Sequence, residues 1–293
     1  MTLKQPQQFT VGEATTLLPF LQSQHPGKSR SFVKNLLTRG QVQVAGKTVT
    51  HHAAALRPGQ TVTILTGPAP AGATLPFPVL YEDAELLAID KPAGLLSMAA
   101  EEERERTAYH LVTDYVKAKN PGSRVFIVHR LDRDTSGVLL FAKNPEMKRL
   151  LQENWEELVT LRGYWAVVEG VPQPPEGQMV SWLRQTKTLL VYSGRGPGDG
   201  KRAVTNYRTI QTNGTYSLLE VSLETGRKNQ IRVHMKDLGT PVAGDKKYGA
   251  KSNPLKRVCL HAGELTVKHP RTGEDLALRA KPPGSFQKVT VPK

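Results

Sequence analysis

The chain has 293 residues, with 40 Lys and Arg against 26 Asp and Glu and a formal net charge of +14 at pH 7. This length allows about two domains, and the positive charge favours a polyanionic partner such as nucleic acid, the alternative being a basic protein whose lysines only face solvent. The single cysteine, Cys259, excludes an intramolecular disulfide, and no run approaches the roughly 18 apolar residues of a membrane span or forms a signal-peptide core, so we expect a cytoplasmic protein without membrane contact.

Residues 1–66 are predicted to form a small module of two helices followed by short strands. Apolar residues at helical spacing mark helices near 14–21 and 29–37, the second with Ser29 or Ser31 as its N-cap and Gly40 as its end. Alternating residues at 42–44 and 62–64 predict strands.

This order resembles the RNA-binding module of a small-subunit ribosomal protein. The resemblance implies that the second helix and the following turn contact RNA; the alternative is a basic helix that only faces solvent. The cations at these positions are Lys28, Arg30, Lys34, Arg39 and Lys47.

Residues 67–75, rich in Pro, Gly and Ala, are predicted to form a linker to a larger domain at 76–293. The strand-like segments of that domain are separated by connections of unequal length. This predicts an α+β fold, with a mixed, mainly antiparallel sheet and flanking helices, preceded by the small α/β module. The strand-like segments include 79–83, 86–91, 164–170 and 218–223, and the helix-like segments are 107–119 and 146–159.

The sequence H-R-L-D-R-D-T-S-G, from His129 to Gly137, places a carboxylate among cations directly before an apolar strand. Nearby arginines stabilise the negative charge of Asp132, and Gly137 allows the backbone to approach other groups closely. The sequence resembles the signature H-R-L-D-x-x-T-S-G of the RluA-type pseudouridine synthases, which isomerise uridine in structured RNA. The added N-terminal module is typical of the branch that acts on the large ribosomal subunit.

Two later motifs support this resemblance. Residues 162–170 are similar to K-x-Y-x-A-x-V-x-G, with Arg162 where lysine is usual. Residues 225–234 are similar to T-G-R-x-H-Q-I-R-x-H, with Asn229 where histidine is usual, and an asparagine cannot act as a proton shuttle.

The resemblance implies a role for each matched residue. Asp132 is the catalytic carboxylate, either as a nucleophile toward the ribose or as a base that removes a sugar proton. Tyr164 holds the base, and Arg232, or else Arg227, pairs with Asp132. Arg130 fills the space left by an extruded base, or contacts a phosphate. The implied substrate-binding residues are Arg130, His129, Thr135, Arg227 and Gln230.

Other classes of site fit less well. Asp134, two residues after Asp132, suits a glycosidase with paired carboxylates, but a short Asp in a turn commonly bonds backbone, and the positive charge does not suit a neutral sugar. A metal site from Asp245, His234 and His261 lacks clustered spacing. We therefore expect no metal, and we expect no cofactor because the isomerisation needs neither a redox change nor an energy source.

The sequence therefore predicts a monomeric RNA pseudouridine synthase that acts on specific uridines in structured RNA, with large-subunit ribosomal RNA as the favoured partner. A transfer RNA substrate is the alternative within this class. A non-catalytic RNA-binding or ribosome assembly factor is the alternative outside it.

Overall fold

The computed structural model describes residues 6–38, 40–65, 74–99 and 107–292. The chain divides into two compact units. We call Met1–Leu75 with Val112–Arg124 the N-terminal unit, and Pro76–Leu111 with Val125–Lys293 the C-terminal unit. Most of the linker predicted at 67–75 lies outside the described residues, as does Arg39.

Up to residue 65, the described part of the N-terminal unit forms two short helices and a four-stranded antiparallel sheet of order β1-β6-β3-β4, with a separate β2–β5 pair. Its elements are β1 (Gln7–Thr10), β2 (Thr15–Thr16), α1 (Leu17–Gln24), α2 (Arg30–Thr38), β3 (Val42–Val44), β4 (Lys47–Thr48), β5 (Ala55–Leu56) and β6 (Thr61–Ile64).

Helix α2 shows why this segment folds as the sequence predicts. Val33, Leu36 and Leu37 share one helical face and are buried against apolar residues of α1 and the sheet. The Ser29 hydroxyl accepts the backbone N–H of Phe32 at 3.2 Å, which confirms the N-cap. Gly40, with φ 64°, follows the helix in the left-handed conformation that commonly ends helices.

The C-terminal unit is built around a sheet to which eleven described strands contribute. Residues of α3 from Val112 onward are counted in the N-terminal unit. The elements are β7 (Val79–Glu82), β8 (Leu86–Lys91), α3 (Ala108–Lys119), β9 (Phe126–Ile127), β10 (Ser136–Ala142), α4 (Pro145–Glu153), α5 (Trp155–Leu158), β11 (Val159–Glu169), β12 (Glu176–Gln185), β13 (Val191–Ser193), β14 (Lys201–Thr212), β15 (Tyr216–Leu223), α6 (Gln230–Asp237), a 3-10 turn (Lys246–Tyr248), β16 (Leu260–Lys268), β17 (Asp275–Arg279) and α7 (Gly284–Val289).

The main path of this sheet runs β13-β12-β14-β15-β11-β16-β10-β8-β7, with β9 paired to β10 and β17 to β16. The described strand pairs of this sheet are antiparallel except β10 with β16, which are parallel. The predicted mixed, mainly antiparallel α+β fold is therefore confirmed. No helix in the described part of the chain is both long and apolar enough to span a membrane.

The parallel pair brings the start of β10 against the start of β16. Gly137 lies opposite Ala262 with φ 111°, and a Cβ atom on it would lie 2.0 Å from the Ala262 carbonyl oxygen. Only glycine fits there. The segment before β10 is thereby held close to the middle of the sheet.

Helix α6 covers one face of the sheet. Ile231 and Met235, one turn apart, are buried in a cluster with Ala166 of β11 and Leu219 of β15. This packing sets the directions in which the other side chains of the first turn of α6 point.

The predicted helix at 146–159 is wrong at its C-terminal end. The helix breaks at Asn154 into α4 and α5, and β11 starts at Val159, earlier than the predicted strand. Trp155 is partly buried and packs against the apolar cluster under β10. Its place among the helically spaced apolar residues of this segment is therefore explained by packing in the core.

Candidate active site

The backbone of the loop before β10, residues 129–135, is held by buried polar groups from the β8 side. The Lys91 ammonium is buried and donates to the carbonyls of Pro92 (3.0 Å), Leu95 (2.7 Å) and Arg133 (3.0 Å). The Ser97 hydroxyl bridges the N–H and C=O of Leu131 at 3.1 and 2.8 Å. These bonds fix the path of the loop on both sides of Asp132.

Lys91 is a buried cation whose charge is balanced by carbonyl dipoles and nearby acids. Burial lowers its pKa to about 8, and the charges of Asp132 and Asp134 oppose that shift. No role was predicted for Lys91 from the sequence. The signal was present, because a lysine within an apolar strand needs buried acceptors.

The other end of the loop is held by an arginine and a histidine. Arg257 donates to the Ser136 hydroxyl at 2.8 Å and to the Leu260 carbonyl at 3.0 Å. Burial lowers the pKa of His261, so its ring is neutral and its Nε2–H donates to the Ala280 carbonyl at 3.0 Å. Nδ1 is then left to accept the Ser136 hydroxyl at 2.8 Å.

His129 supports the loop from behind and does not line the cleft around Asp132. Its Nε2 accepts the backbone N–H of Leu140 at 2.9 Å, and its ring packs against Trp155 with centroids 5.1 Å apart. Burial, with a smaller effect of the Arg162 charge, lowers the pKa of His129 to about 4, so the ring is neutral. The expected substrate contact is not supported, since the side chain faces strand β10.

Asp132 lies in a small cleft of about 60 Å³ between the loop, β11 and the start of α6. Asn229 donates from Nδ2 to Asp132 Oδ2 at 2.6 Å, and Arg232 Nη1 contacts the same oxygen at 3.4 Å. Of the two arginines predicted as partners, Arg232 makes the contact. Arg227 instead donates from Nε to the Arg202 carbonyl at 3.0 Å.

Arg232 is shared between two carboxylates. It forms a two-point ion pair with Asp245, at 2.6 and 2.8 Å, and the Asp245 side chain is 1% exposed. Burial alone would lower the pKa of Arg232, but hydrogen bonds and charge from Asp245, with a smaller part from Asp132, raise it overall. The guanidinium is therefore a permanent cation beside Asp132. From the sequence, Asp245 was considered only as a metal ligand, so this pairing was missed.

Tyr164 lies on β11 and its ring lines the same cleft. Burial raises its pKa to about 12, with a smaller contribution from the charge of Asp132, so the hydroxyl stays protonated at neutral pH. Arg162, two residues before, donates to the Glu224 carbonyl and ties β11 to the segment that leads into α6. The cation that replaces the usual lysine thus has a structural partner.

The other residues expected to bind substrate divide into two groups. Arg130, Thr135 and Arg227 line the cleft, and the exposed Arg130 side chain makes no hydrogen bond or ion pair with any residue that the structure describes. Gln230 lines it too, but is 2% exposed.

The Gln230 amide has no hydrogen-bonding capacity left for substrate. Its nitrogen donates to the Val204 carbonyl and the Thr205 hydroxyl, both at 2.9 Å. Its oxygen accepts the Thr225 hydroxyl (2.9 Å) and the Arg227 N–H (3.0 Å). In this structure Gln230 therefore positions the turn before α6 and not a ligand.

A larger groove of about 740 Å³ also touches Tyr164 and extends over β11, β14, β15 and β16. Its charges are largely paired within the protein, as in Arg208–Glu220 (2.7 Å) and Arg279–Glu264 (3.0 Å). The described residues that line this groove include no carboxylate paired with a buried arginine. The smaller cleft has such a carboxylate and is therefore the candidate active site.

The predicted RNA contacts of the N-terminal unit lie on its surface. Lys28, Arg30, Lys34 and Lys47 are exposed, and Arg39 lies outside the described residues. No group of three or more His, Cys, Asp or Glu within the described part of the chain is arranged to hold a metal ion.

The chain is similar to known proteins both in sequence and in fold. The family model for RNA pseudouridylate synthase matches residues 85–237. An uncharacterised RNA pseudouridine synthase of Synechocystis is 33% identical over 93% of this chain and 87% of its own length. A ribosomal large subunit pseudouridine synthase D of Borreliella burgdorferi is 35% identical over 66% of this chain and 61% of its own. The fold matches the human RNA pseudouridylate synthase domain containing 1 with a TM-score of 0.60 at 21% identity, covering 76% of this chain and 91% of that one.

Proposed function

The chain belongs to the RNA pseudouridylate synthase family, and we propose that it isomerises specific uridines of large-subunit ribosomal RNA with Asp132 as its catalytic carboxylate. Membership makes it an RNA pseudouridine synthase, an isomerase. The observation that carries the proposed site is that Asp132 is the one carboxylate among the described residues lining the cleft, beside Arg232 and Tyr164.

The reaction needs a carboxylate at the ribose. The bond between C1′ and N1 of uracil breaks, the base turns, and a bond between C1′ and C5 forms; C5 loses a proton and N1 gains one. Attack on C1′ and removal of a ribose proton both use an ionised carboxylate. Arg232, itself neutralised by Asp245, holds that charge without leaving an unpaired buried ion.

Tyr164 and Arg130 serve the base and the space it leaves. The Tyr164 ring lines the cleft and offers a face on which uracil stacks. A uridine in folded RNA must leave its stack, at a cost of about a few kcal/mol. Arg130 is exposed at the cleft without a protein partner among the described residues, so its guanidinium is free to occupy the vacated position.

The N-terminal unit supplies a second RNA contact. The exposed cations of α2 and its neighbouring turns, Lys28, Arg30, Lys34 and Lys47, suit the phosphates of a structured RNA. None of the cleft residues belongs to this unit, so the RNA is contacted by two separate sets of residues. Two sets of contacts suit a large substrate. The matched relative named for the large ribosomal subunit favours ribosomal RNA.

The test is a map of pseudouridines in ribosomal and transfer RNA from cells that lack the gene. We expect one or a few positions of large-subunit RNA to lose the modification and to regain it with the wild-type protein but not with Asp132→Asn. Loss confined to transfer RNA would show that the substrate assignment is wrong while leaving the catalytic site intact.

A further inference from the structure

The two carboxylate oxygens of Asp132 differ in their surroundings. Oδ2 accepts Asn229 Nδ2 at 2.6 Å and lies 3.4 Å from Arg232 Nη1. Oδ1 makes no hydrogen bond with any residue that the structure describes. The carboxylate is thus anchored by one oxygen, and the shorter anchor is the neutral amide.

Asn229 has a backbone that few residues adopt. It precedes α6 with φ 55° and ψ 18°, in the left-handed region, and is 8% exposed. Asparagine tolerates this region better than most residues with a side chain. Glycine tolerates it better still but has no amide to donate. Position 229 therefore needs a residue that adopts the left-handed backbone and also has a side chain that can donate a hydrogen bond.

The orientation of the Asn229 amide is determined by Tyr248. The backbone N–H of Val191 can only donate, and it donates to the Tyr248 hydroxyl at 3.3 Å. The hydroxyl proton is then available for Asn229 Oδ1, at 3.2 Å. This directs Nδ2 toward Asp132. Burial raises the pKa of Tyr248, so it keeps this proton.

Tyr248 also contacts the second anchor of Asp132. The Arg232 guanidinium lies over its ring, 4.9 Å from the centroid. Asp245, three residues before Tyr248, holds the same guanidinium. The segment 245–248 therefore sets both groups that contact Oδ2.

We propose that Asn229, oriented by Tyr248, is a positioning residue that holds Oδ2 of Asp132 and so presents Oδ1 to the ribose. The proposal rests on Asp132 being the catalytic carboxylate. Arg232 balances the charge of Asp132 at 3.4 Å, and Asn229 sets its direction at 2.6 Å. The Asn229 hydrogen bond is already present in the protein without RNA, and it is made to the carboxylate of Asp132. Its removal should therefore slow the chemical step with little effect on RNA affinity.

The experiment compares Asn229→Gly with Asn229→Asp on full-length RNA substrate under single-turnover conditions. Glycine keeps the left-handed backbone and removes the side-chain amide, both its donor to Asp132 and its acceptor for Tyr248. We expect its rate constant to fall by about 10- to 100-fold, the range for a hydrogen bond to a charged group, with an RNA Kd within about twofold of wild type. Aspartate places a second carboxylate against Oδ2, and we expect a larger fall.

Tyr248→Phe tests the orientation of the Asn229 amide separately. It retains the ring over Arg232 and removes the hydroxyl, and we expect a rate about 3- to 10-fold lower with unchanged Kd. A wild-type rate in Asn229→Gly would overturn the proposal, leaving Asn229 as a backbone turn only. If Asn229→Gly does not fold, a wild-type rate in Tyr248→Phe overturns the orientation it requires. Activity in Asp132→Asn would contradict the proposed function instead, so the two failures are distinguishable.

Discussion

The loop around Asp132 and helix α2 of the N-terminal unit are both rich in charge, but they use it differently. Beside Asp132 the ion pairs of Arg232 are largely buried and held at defined distances, as in Arg232–Asp245 at 2.6 Å. On α2 the cations are exposed beside a buried apolar face. Water and salt weaken exposed charges and leave buried ones strong. Single substitutions should therefore have large effects at the loop, and small, additive, salt-dependent effects on α2.

The largest effect is expected from Asp132→Asn. Asparagine has nearly the same shape but is neither anion nor base, so we expect isomerisation to fall by at least about 1,000-fold, as for loss of a catalytic group. RNA affinity and the unfolding transition should stay close to wild type. Release of tritium from RNA labelled at C5 of uridine measures the reaction. Turnover within tenfold of wild type would remove Asp132 from the chemistry.

The next effect compares a buried and an exposed ion pair directly. Asp245→Asn leaves the buried Arg232 without its main partner, and we expect a loss of about 3–5 kcal/mol in the free energy of unfolding. Glu220→Gln is the matched control, because its pair with Arg208 has side chains 47% and 61% exposed. That change should cost about 0–1 kcal/mol.

Denaturant titrations of both variants provide the measurement. Equal losses in the two proteins would mean that burial does not distinguish these two ion pairs.

A third effect depends on pH and concerns the support behind the loop. The pKa of His129 is about 4 in the folded protein and 6.5 as an ordinary value. Between these values the unfolded chain binds a proton that the folded protein does not, so this histidine's contribution to stability is complete above pH 6.5 and is lost as pH falls toward 4. The change amounts to up to about 3 kcal/mol.

His129→Gln keeps an acceptor for the Leu140 N–H and cannot titrate. We expect the stability advantage of wild type over this variant to shrink between pH 6.5 and pH 4, as followed by urea unfolding at several pH values. An advantage that does not change with pH would show that His129 titrates alike in the folded and unfolded chain.

The smallest effects are expected on α2. Arg30→Gln with Lys34→Gln should weaken RNA binding and reduce the slope of log affinity against log salt by about 0.7 to 0.9 for each phosphate that is no longer neutralised. Single-turnover rates at saturating protein should not change. The pair Lys268→Gln with Lys288→Gln removes the same charge from exposed positions in the C-terminal unit. An equal change of slope in both double variants would mean that α2 contributes only net charge.

Much of this molecule follows from local sequence. The spacing of Val33, Leu36 and Leu37 predicts α2, and Ser29 marks its start. The motif residues Asp132, Tyr164 and Arg232 lie together at the cleft, as the resemblance implies. In each case the signal lies within a few neighbouring residues, or within a motif that states the residue type directly.

Other features depend on residues far apart in the chain. Asn229 meets Asp132 across 97 positions, and Lys91 meets the Arg133 carbonyl across 42. The sequence shows that Asn229 departs from a motif but does not show what it contacts. His129 and Gln230 belong to the same motifs, yet the fold uses their hydrogen bonds inside the protein.

The reaction class, the candidate carboxylate and several of the elements could be inferred from the sequence alone, because periodicity and motif chemistry are properties of short segments. Long strands such as β12 and β14 were not predicted. The folded structure was needed to establish that Arg232 and not Arg227 pairs with Asp132. It was also needed to show that Asp245 and Tyr248 hold the groups that contact Asp132. Two arginines five residues apart offer the same charge. The packing of Ile231 and Met235 against the sheet selects the one that faces the carboxylate, and burial then requires each charge to have a partner.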